Sequence, residues 1–311
     1  MISIIIPIYN EEKIISELYK RLVESLKSYD GNYEVIFVND GSTDNAFSML
    51  KTLCKNDINI KIIDLSRNFG HQLAITSGID FATGDAIILM DGDLQDPPEL
   101  IPKLIEKWKN GFDVVYTIKT SRKENFLKKL AFKLFYKLMQ RFSSIAIPME
   151  AGNFSLMDKK VFETLKTMKE KNRYIPGMRA WIGFKQIGIE FAREDRFAGK
   201  PQMTFSRLIK LAFDGIFSFS NIPLRFATYL GFVSAVISFL GIVYVLYSKV
   251  FTDKAISGWA STIVAILFIG GMILLTLGII GEYIGRIYDE IKNRPMYLIK
   301  EKIGFEKKNS N

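Results

Sequence analysis

The sequence predicts an α/β domain built on a mostly parallel sheet flanked by helices, followed by interfacial helices and a two-helix transmembrane hairpin. Three observations carry that expectation. Short β-rich runs alternate with helical patterns over the first 120 residues, acidic and small polar residues gather where those runs end, and two long uncharged stretches sit in the last third of the chain. The 311 residues carry 42 Lys and Arg against 33 Asp and Glu, a net charge of +9 that suits anionic partners such as a membrane surface or phosphorylated substrates. Cys54 is the single cysteine and His71 the single histidine, which excludes an intrachain disulfide, a cysteine cluster for zinc or iron–sulfur, and any site needing two imidazoles. Metal chemistry must therefore rest mainly on oxygen ligands.

The elements follow in order. Ile2–Ile6 reads as a strand, and Glu11–Ser28 as a helix with Ile14, Ile15, Leu18, Leu22 and Leu26 on one face. Tyr33–Val38 is a second strand and Asn45–Lys55 a helix; Ile60–Leu65 is a third strand and Gln72–Ala82 a helix. Asp85–Met90 is a fourth strand, Pro98–Asn110 a helix, and Val114–Thr117 closes the series. In such folds ligands bind beyond the carboxyl ends of the strands.

Phe226–Ser248 is a run of 23 uncharged residues. As a helix it would be about 35 Å long, against about 30 Å for a hydrocarbon core. Ala255–Gly281 is long enough as well, and only Lys249–Lys254 separates the two. Arg207, Lys210 and Arg225 before the first span, with Arg286, Lys292 and Arg294 after the second, place both flanks in the cytoplasm. The apolar segment Phe205–Leu224, with Arg207, Lys210 and Asp214 spaced along it, fits a helix lying in the interface plane or one packed on the catalytic domain. The resulting organisation is a catalytic domain over 1–204, a juxtamembrane segment over 205–224, two membrane helices over 225–282 and a cytoplasmic tail over 283–311.

The residues that carry chemistry fall at strand ends. Asn39-Asp-Gly-Ser-Thr-Asp44 follows the second strand with the small polar residues of a tight turn and helix cap. After the fourth strand, Asp91, Asp93, Asp96 and Glu99 put four acids within nine positions, with Gly92 letting the chain turn. Such acids repel one another unless a cation or hydrogen-bond donors offset them, and hard cations such as Mg²⁺ or Mn²⁺ take oxygen ligands and bridge phosphates.

Pro7-Ile-Tyr-Asn-Glu-Glu12, Val38-Asn-Asp-Gly-Ser-Thr-Asp44, Leu65-Ser-Arg-Asn-Phe-Gly70 and Asp91-Gly-Asp-Leu-Gln-Asp-Pro-Pro98 together resemble the family 2 glycosyltransferases with a GT-A fold. More narrowly they resemble the polyprenyl-phosphate glycosyltransferases, which include dolichol-phosphate mannose synthases and bactoprenol glucosyltransferases. The resemblance extends through Asp214-Gly-Ile-Phe-Ser-Phe-Ser220 and Gly281-Glu-Tyr-Ile-Gly-Arg-Ile-Tyr288, and so covers nearly the whole chain. It implies inverting transfer of a hexose from a nucleotide sugar, UDP-linked rather than GDP-linked, to a polyprenyl phosphate such as undecaprenyl phosphate at the cytoplasmic membrane face. By the same resemblance Pro7, Tyr9, Asn10, Glu11 and Asp40, with Asp91, Gly92 and Asp93, would line the nucleotide-sugar pocket. Asp91, Asp93 and Gln95 would hold Mg²⁺ or Mn²⁺ with the diphosphate, and the chain would assemble as a homotetramer. Arg122, leading the cluster Lys123, Lys128, Lys129 and Lys133, is the cation expected to meet phosphate or lipid headgroups.

Two segments depart from the resemblance. Where relatives carry an acid and a base, Ala151-Gly-Asn-Phe-Ser155 has Asn153 and Ser155; an amide cannot exchange a proton as a carboxylate does, so Asn153 is expected to orient the sugar. Where relatives place a lysine this chain has Gln202, with Lys200 two residues earlier, while Arg193 and Arg196 remain as phosphate-binding candidates. His71 fits either a contact to the diphosphate or an exposed helix start. Competing readings are a processive polysaccharide synthase, for which the nearest text, Gly177-Met-Arg-Ala-Trp181, lacks the usual spacing, and a non-catalytic membrane scaffold. Nucleic-acid binding has no motif to support it.

Overall fold

The computed structural model describes residues 1–119, 151–191, 222–251 and 258–305. Two compact units emerge, one holding the sheet and the other the two long helices. In the first, β1 (Ile2–Ile8), α1 (Ile15–Leu26), β2 (Tyr33–Asn39), α2 (Ala46–Asn56), β3 (Ile60–Leu65), α3 (His71–Phe81), β4 (Ala86–Leu89), α4 (Ile101–Lys109) and β5 (Val114–Lys119) follow the alternation read from the sequence. Then come β6 (Ala151–Asp158), α5 (Lys159–Thr167), α6 (Ile175–Ile182), β7 (Gln186–Phe191) and, from the far end of the chain, β8 (Ile299–Ile303).

The strand order among the described residues is β7-β5-β6-β4-β1-β2-β3-β8. Every residue of β1 is buried, as expected of a central strand covered on both faces. One face packs on Ile15, Leu18, Leu22 and Leu26 of α1, spaced three or four apart. On the other face α3 lies so close that a Cβ on Gly78 would fall 2.3 Å from Ile5 Cγ2.

The expectation of a mostly parallel sheet needs correction, because the sheet is mixed. The pairs β1–β2, β1–β4, β2–β3 and β5–β7 are parallel, whereas β3–β8, β4–β6 and β5–β6 are antiparallel. β6 runs back between β4 and β5, and Phe154, Ser155, Leu156 and Met157 are all buried, so it shows no alternation by which to recognise it. β8 comes from residues expected as a tail; its Lys300, Glu301 and Lys302 stay solvated, which suits an edge strand.

The second unit consists, among the described residues, of α7 (Ile222–Phe251) and α8 (Trp259–Ile291), which pack against each other. Phe232, Phe239, Ile273, Leu274 and Ile287 are exposed on them. One helical stretch, Phe268–Ile291, is long and apolar enough to cross a membrane; the apolar run Phe226–Gly241 is shorter. The expected pair of full spans is thus met by one among the described residues.

At the amino-terminal edge of the sheet a polar cluster ties four segments together. Glu34 on β2 accepts from Ser3 Oγ on β1, from Thr83 N and Oγ1 at 2.9 Å each, and from Lys61 Nζ on β3 at 2.5 Å. Burial works to raise the Glu34 carboxyl pKa, but Lys61, Ser3 and Thr83 outweigh it and hold it below the ordinary value. A depressed folded pKa means that this contribution is complete above the unfolded pKa near 4.5 and is lost as pH falls from there through the lower folded pKa. Glu34→Gln is expected to lower stability by about 3 kcal/mol at pH 7, since it leaves Lys61 without its carboxylate. Thermal melts of the detergent-solubilised variant against wild type, repeated at successive pH values below 4.5, should show the gap narrowing as pH falls toward the lowered folded pKa.

Candidate active site

The parallel strands β1 to β4 end on one side of the sheet, so their following loops converge. The loop after β1 is braced to the turn after β2. Asn10, with φ of 55°, accepts from Thr43 N at 2.8 Å and donates its own N–H to Ser42 Oγ at 3.0 Å. Glu12 N donates to Asp44 Oδ2 and Glu12 Oε2 accepts from Asn45 N, each at 3.0 Å. The turn after β2 is in turn fastened to the loop after β3. Asp40 accepts from Phe69 N at 2.7 Å with one carboxylate oxygen and from Gly70 N at 3.0 Å with the other. Burial raises the Asp40 pKa despite these bonds. Gly41, with φ of +68°, sits so near this loop that a Cβ would lie 2.5 Å from the Arg67 carbonyl carbon.

The acidic turn follows β4. Gly92 passes under the end of β1, where a Cβ would fall 2.7 Å from Ile8 Cδ1 and 3.0 Å from the Pro7 carbonyl oxygen. Asp91, Asp93 and Gln95 are half-buried, Asp96 is fully buried, and Gln95 N donates to Asp93 Oδ1 at 3.1 Å. Because β6 is antiparallel to β4, with Leu89 opposite Ser155, the residues opening β6 lie beyond the carboxyl end of β4. Asn153 therefore joins the same cluster.

His71, the first residue of α3, links the two. Its Nε2 lies 3.1 Å from Asp91 Oδ1 and 2.9 Å from Asn153 Nδ2. Desolvation lowers the imidazole pKa, but the charge and hydrogen bond of Asp91, helped by Asp40 and Asp93, more than offset it and leave the group above its ordinary value. Of the two readings open from sequence, the exposed helix start is what the structure shows: His71 opens α3 with its side chain 43% exposed, and it reaches Asp91 as well. Gln72, which sequence reasoning missed, donates from Nε2 to Asn153 Oδ1 at 3.2 Å and accepts from Ile175 N at 2.9 Å. Arg179 on α6 was missed as a buried residue: it is 1% exposed, with Nη1 3.4 Å from the Gly152 carbonyl oxygen and its guanidinium 5.1 Å from the Tyr116 ring centre. Burial brings its pKa down to about 10.

Of the other expected site residues, Pro7 is buried in β1, Tyr9 and Asn10 are exposed at its end, and Glu11 is half-buried. Arg122, Arg193, Arg196, Lys200 and Gln202 lie outside the described residues. Among the described residues no group of three or more His, Cys, Asp or Glu side chains converges as a ready-made metal site.

Residues 3–166 match Glycosyl transferase family 2, and residues 222–287 match the GtrB C-terminal hairpin. The chain belongs to glycosyltransferase family 2: it transfers a sugar from a nucleotide-sugar donor with inversion at the anomeric carbon. Among its relatives is the uncharacterized glycosyltransferase YkcC of Bacillus subtilis, 49% identical over 98% of this chain and 95% of that one. The prophage bactoprenol glucosyl transferase homolog of Escherichia coli is 41% identical over 96% of this chain and 98% of that one. Solved structures are more distant: the mannosyltransferase PcManGT from Pyrobaculum calidifontis aligns with a TM-score of 0.45 and 13% identity over 94% of this chain and 88% of that one.

The Asp40 brace yields a test. Asp40→Asn keeps the shape but can satisfy only one of the two N–H groups with its carbonyl, leaving the other facing an NH₂ group. The expected result is a Phe69–Gly70 loop with faster amide hydrogen exchange and UDP affinity lowered on the order of tenfold, measured by calorimetry.

Proposed function

We propose that the protein transfers a hexose from a UDP-sugar to a polyprenyl phosphate at the membrane surface. The observation that carries the reading is the convergence of Asp91, His71 and Asn153 at one set of strand ends, in a chain that also supplies a paired apolar helix unit. Relatives named as bactoprenol glucosyl transferases support the acceptor class. The match to a C-terminal hairpin supports α7 and α8 as two spans. The charged flanks Arg225, Arg286, Lys292 and Arg294 support a cytoplasmic catalytic domain.

In this reading Asp91, Asp93 and Gln95 hold Mg²⁺ or Mn²⁺. Their side chains would offer it oxygen atoms, which fits a hard cation. When bound, the cation offsets the charge that collects on the leaving diphosphate. The loops after β1 and β2, with Pro7, Tyr9, Asn10, Glu11 and Asp40, and Gly92 between the two acids, enclose the nucleotide. Arg193, Arg196 and Lys200 grip its phosphates, and Arg122 aims the acceptor phosphate.

An acceptor phosphate oxygen forms the new bond to C1, and the C1–oxygen bond to the diphosphate breaks, its electron pair leaving with the nucleoside diphosphate. Phosphate is already anionic near neutral pH, so the step needs alignment more than a strong base. Asn153 orients the sugar and moves no proton. Assembly as a tetramer belongs to the same proposal.

The test is transfer by the purified, detergent-solubilised protein, given undecaprenyl phosphate, Mg²⁺ or Mn²⁺ and radiolabelled UDP-glucose, UDP-N-acetylglucosamine, UDP-galactose or GDP-mannose. One sugar should enter the organic phase as a single-residue product. Asp93→Ala should reduce that rate by about 100-fold or more, since several kcal/mol of charge stabilisation disappear. Label in a growing polymer would instead select a processive synthase, and label in no product with any of the four would refute the proposal.

A further inference from the structure

Two carboxamides, Gln72 and Asn153, form a chain of hydrogen bonds whose direction is set by the backbone. An amide side chain can be turned over to exchange its oxygen and nitrogen, so its orientation has to be read from its partners. Here one partner is unambiguous, because the Ile175 N–H can only donate. The Gln72 atom at 2.9 Å from it must therefore be Oε1, and Nε2 faces the other way, toward Asn153 Oδ1 at 3.2 Å. That bond in turn commits the Asn153 carbonyl and sends Nδ2 outward, to 2.9 Å from His71 Nε2. The NH₂ group has two hydrogens, and His71 takes at most one. Helix α6 steadies the arrangement at both ends, through Ile175 N–H and through Arg179 Nη1, 3.4 Å from the carbonyl oxygen of Gly152.

We infer that Gln72 is a positioning residue, which fixes the Asn153 carboxamide so that its NH₂ group rather than its carbonyl is turned toward the sugar. The inference rests on the reading that places the nucleotide sugar over Asp91 and Asn153. Its consequence is chemical: the site offers an N–H to a sugar oxygen, whereas a carboxylate at 153 would offer only acceptor oxygens. Gln72 thereby contributes to the choice of sugar without touching it.

Gln72→Glu tests this directly. The new carboxylate still accepts from Ile175 N–H, but it cannot donate to Asn153 Oδ1, so the Asn153 amide turns over and donates to it instead. Both bonds of residue 72 are kept, the contact with His71 needs a proton on Nε2 to survive the turn, and the polarity facing the sugar is reversed. Gln72→Met, which breaks both bonds, sets the scale of a purely structural loss. Affinity is measured for UDP alone and for UDP-glucose, UDP-N-acetylglucosamine, UDP-galactose and GDP-mannose, together with thermal midpoints and kcat/KM.

For Gln72→Glu the expected result is an unchanged thermal midpoint and unchanged UDP affinity. The extra affinity or kcat/KM conferred by the sugar should fall on the order of tenfold, with an altered preference among the four. Unaltered sugar preference and kcat/KM would overturn the inference. So would a loss of stability and UDP binding equal to that of Gln72→Met. Because binding is read without a lipid acceptor, a wild type that binds nucleotide sugars but transfers nothing to undecaprenyl phosphate would count against the acceptor alone, and the sugar preferences of the Gln72 variants would still decide the role of Gln72.

Discussion

Asp40 holds the N–H groups of Phe69 and Gly70, one on each carboxylate oxygen, and in doing so sets the point at which α3 begins. Gly70, with φ of +98°, turns the chain, and His71 and Gln72 follow as the first residues of the helix. Both side chains reach Asn153, so a shift in where α3 starts would move every polar group that meets the acidic turn. The close approach of Gly41 to the same loop leaves little slack, because any side chain there would meet backbone that cannot give way. The brace lies between two loops, yet its effect falls on the geometry of the site.

The reversal of β6 supplies the other half. A purely parallel sheet would gather only the loops that follow strands, all approached from one chain direction. The antiparallel pairing of β6 with β4 brings the beginning of a strand to the same place, with Asn153 projecting from it and Arg179 behind holding Gly152. The turn after β4 brings the carboxylates of Asp91 and Asp93, and β6 brings the amide of Asn153. These groups come from different strands, so the amide can vary without rebuilding the acidic turn.

The first half of the fold was legible because each strand is a short apolar run and each helix shows its own spacing, as in Leu18, Leu22 and Leu26 of α1. The loops were legible as small polar residues at strand ends, and a resemblance joined them into one chemistry. Asp40 was placed in the nucleotide pocket by that resemblance, but its bonds to Phe69 and Gly70 span 29 and 30 residues and leave no local mark. β6 was hidden because its centre is buried on both faces, and β8 because Lys300, Glu301 and Lys302 look like a solvated tail. Gln72 was invisible for a similar reason. A glutamine near a helix start needs no special account, and its partners lie 81 and 103 residues away.

One contact in the site is in conflict with itself, and the conflict is informative. His71 Nε2 faces both an N–H of Asn153 and a carboxylate oxygen of Asp91. A bare ring nitrogen satisfies the first and sets a lone pair against the second; a protonated one does the reverse. The chain of bonds running back through Gln72 to the Ile175 backbone prevents Asn153 from turning over to relieve the strain. Local sequence choices normally agree with one another in a stable protein, and disagreements of this kind collect where a ligand is meant to complete the set. In the proposed reading the acidic turn meets a negatively charged diphosphate, and there such a completion is needed.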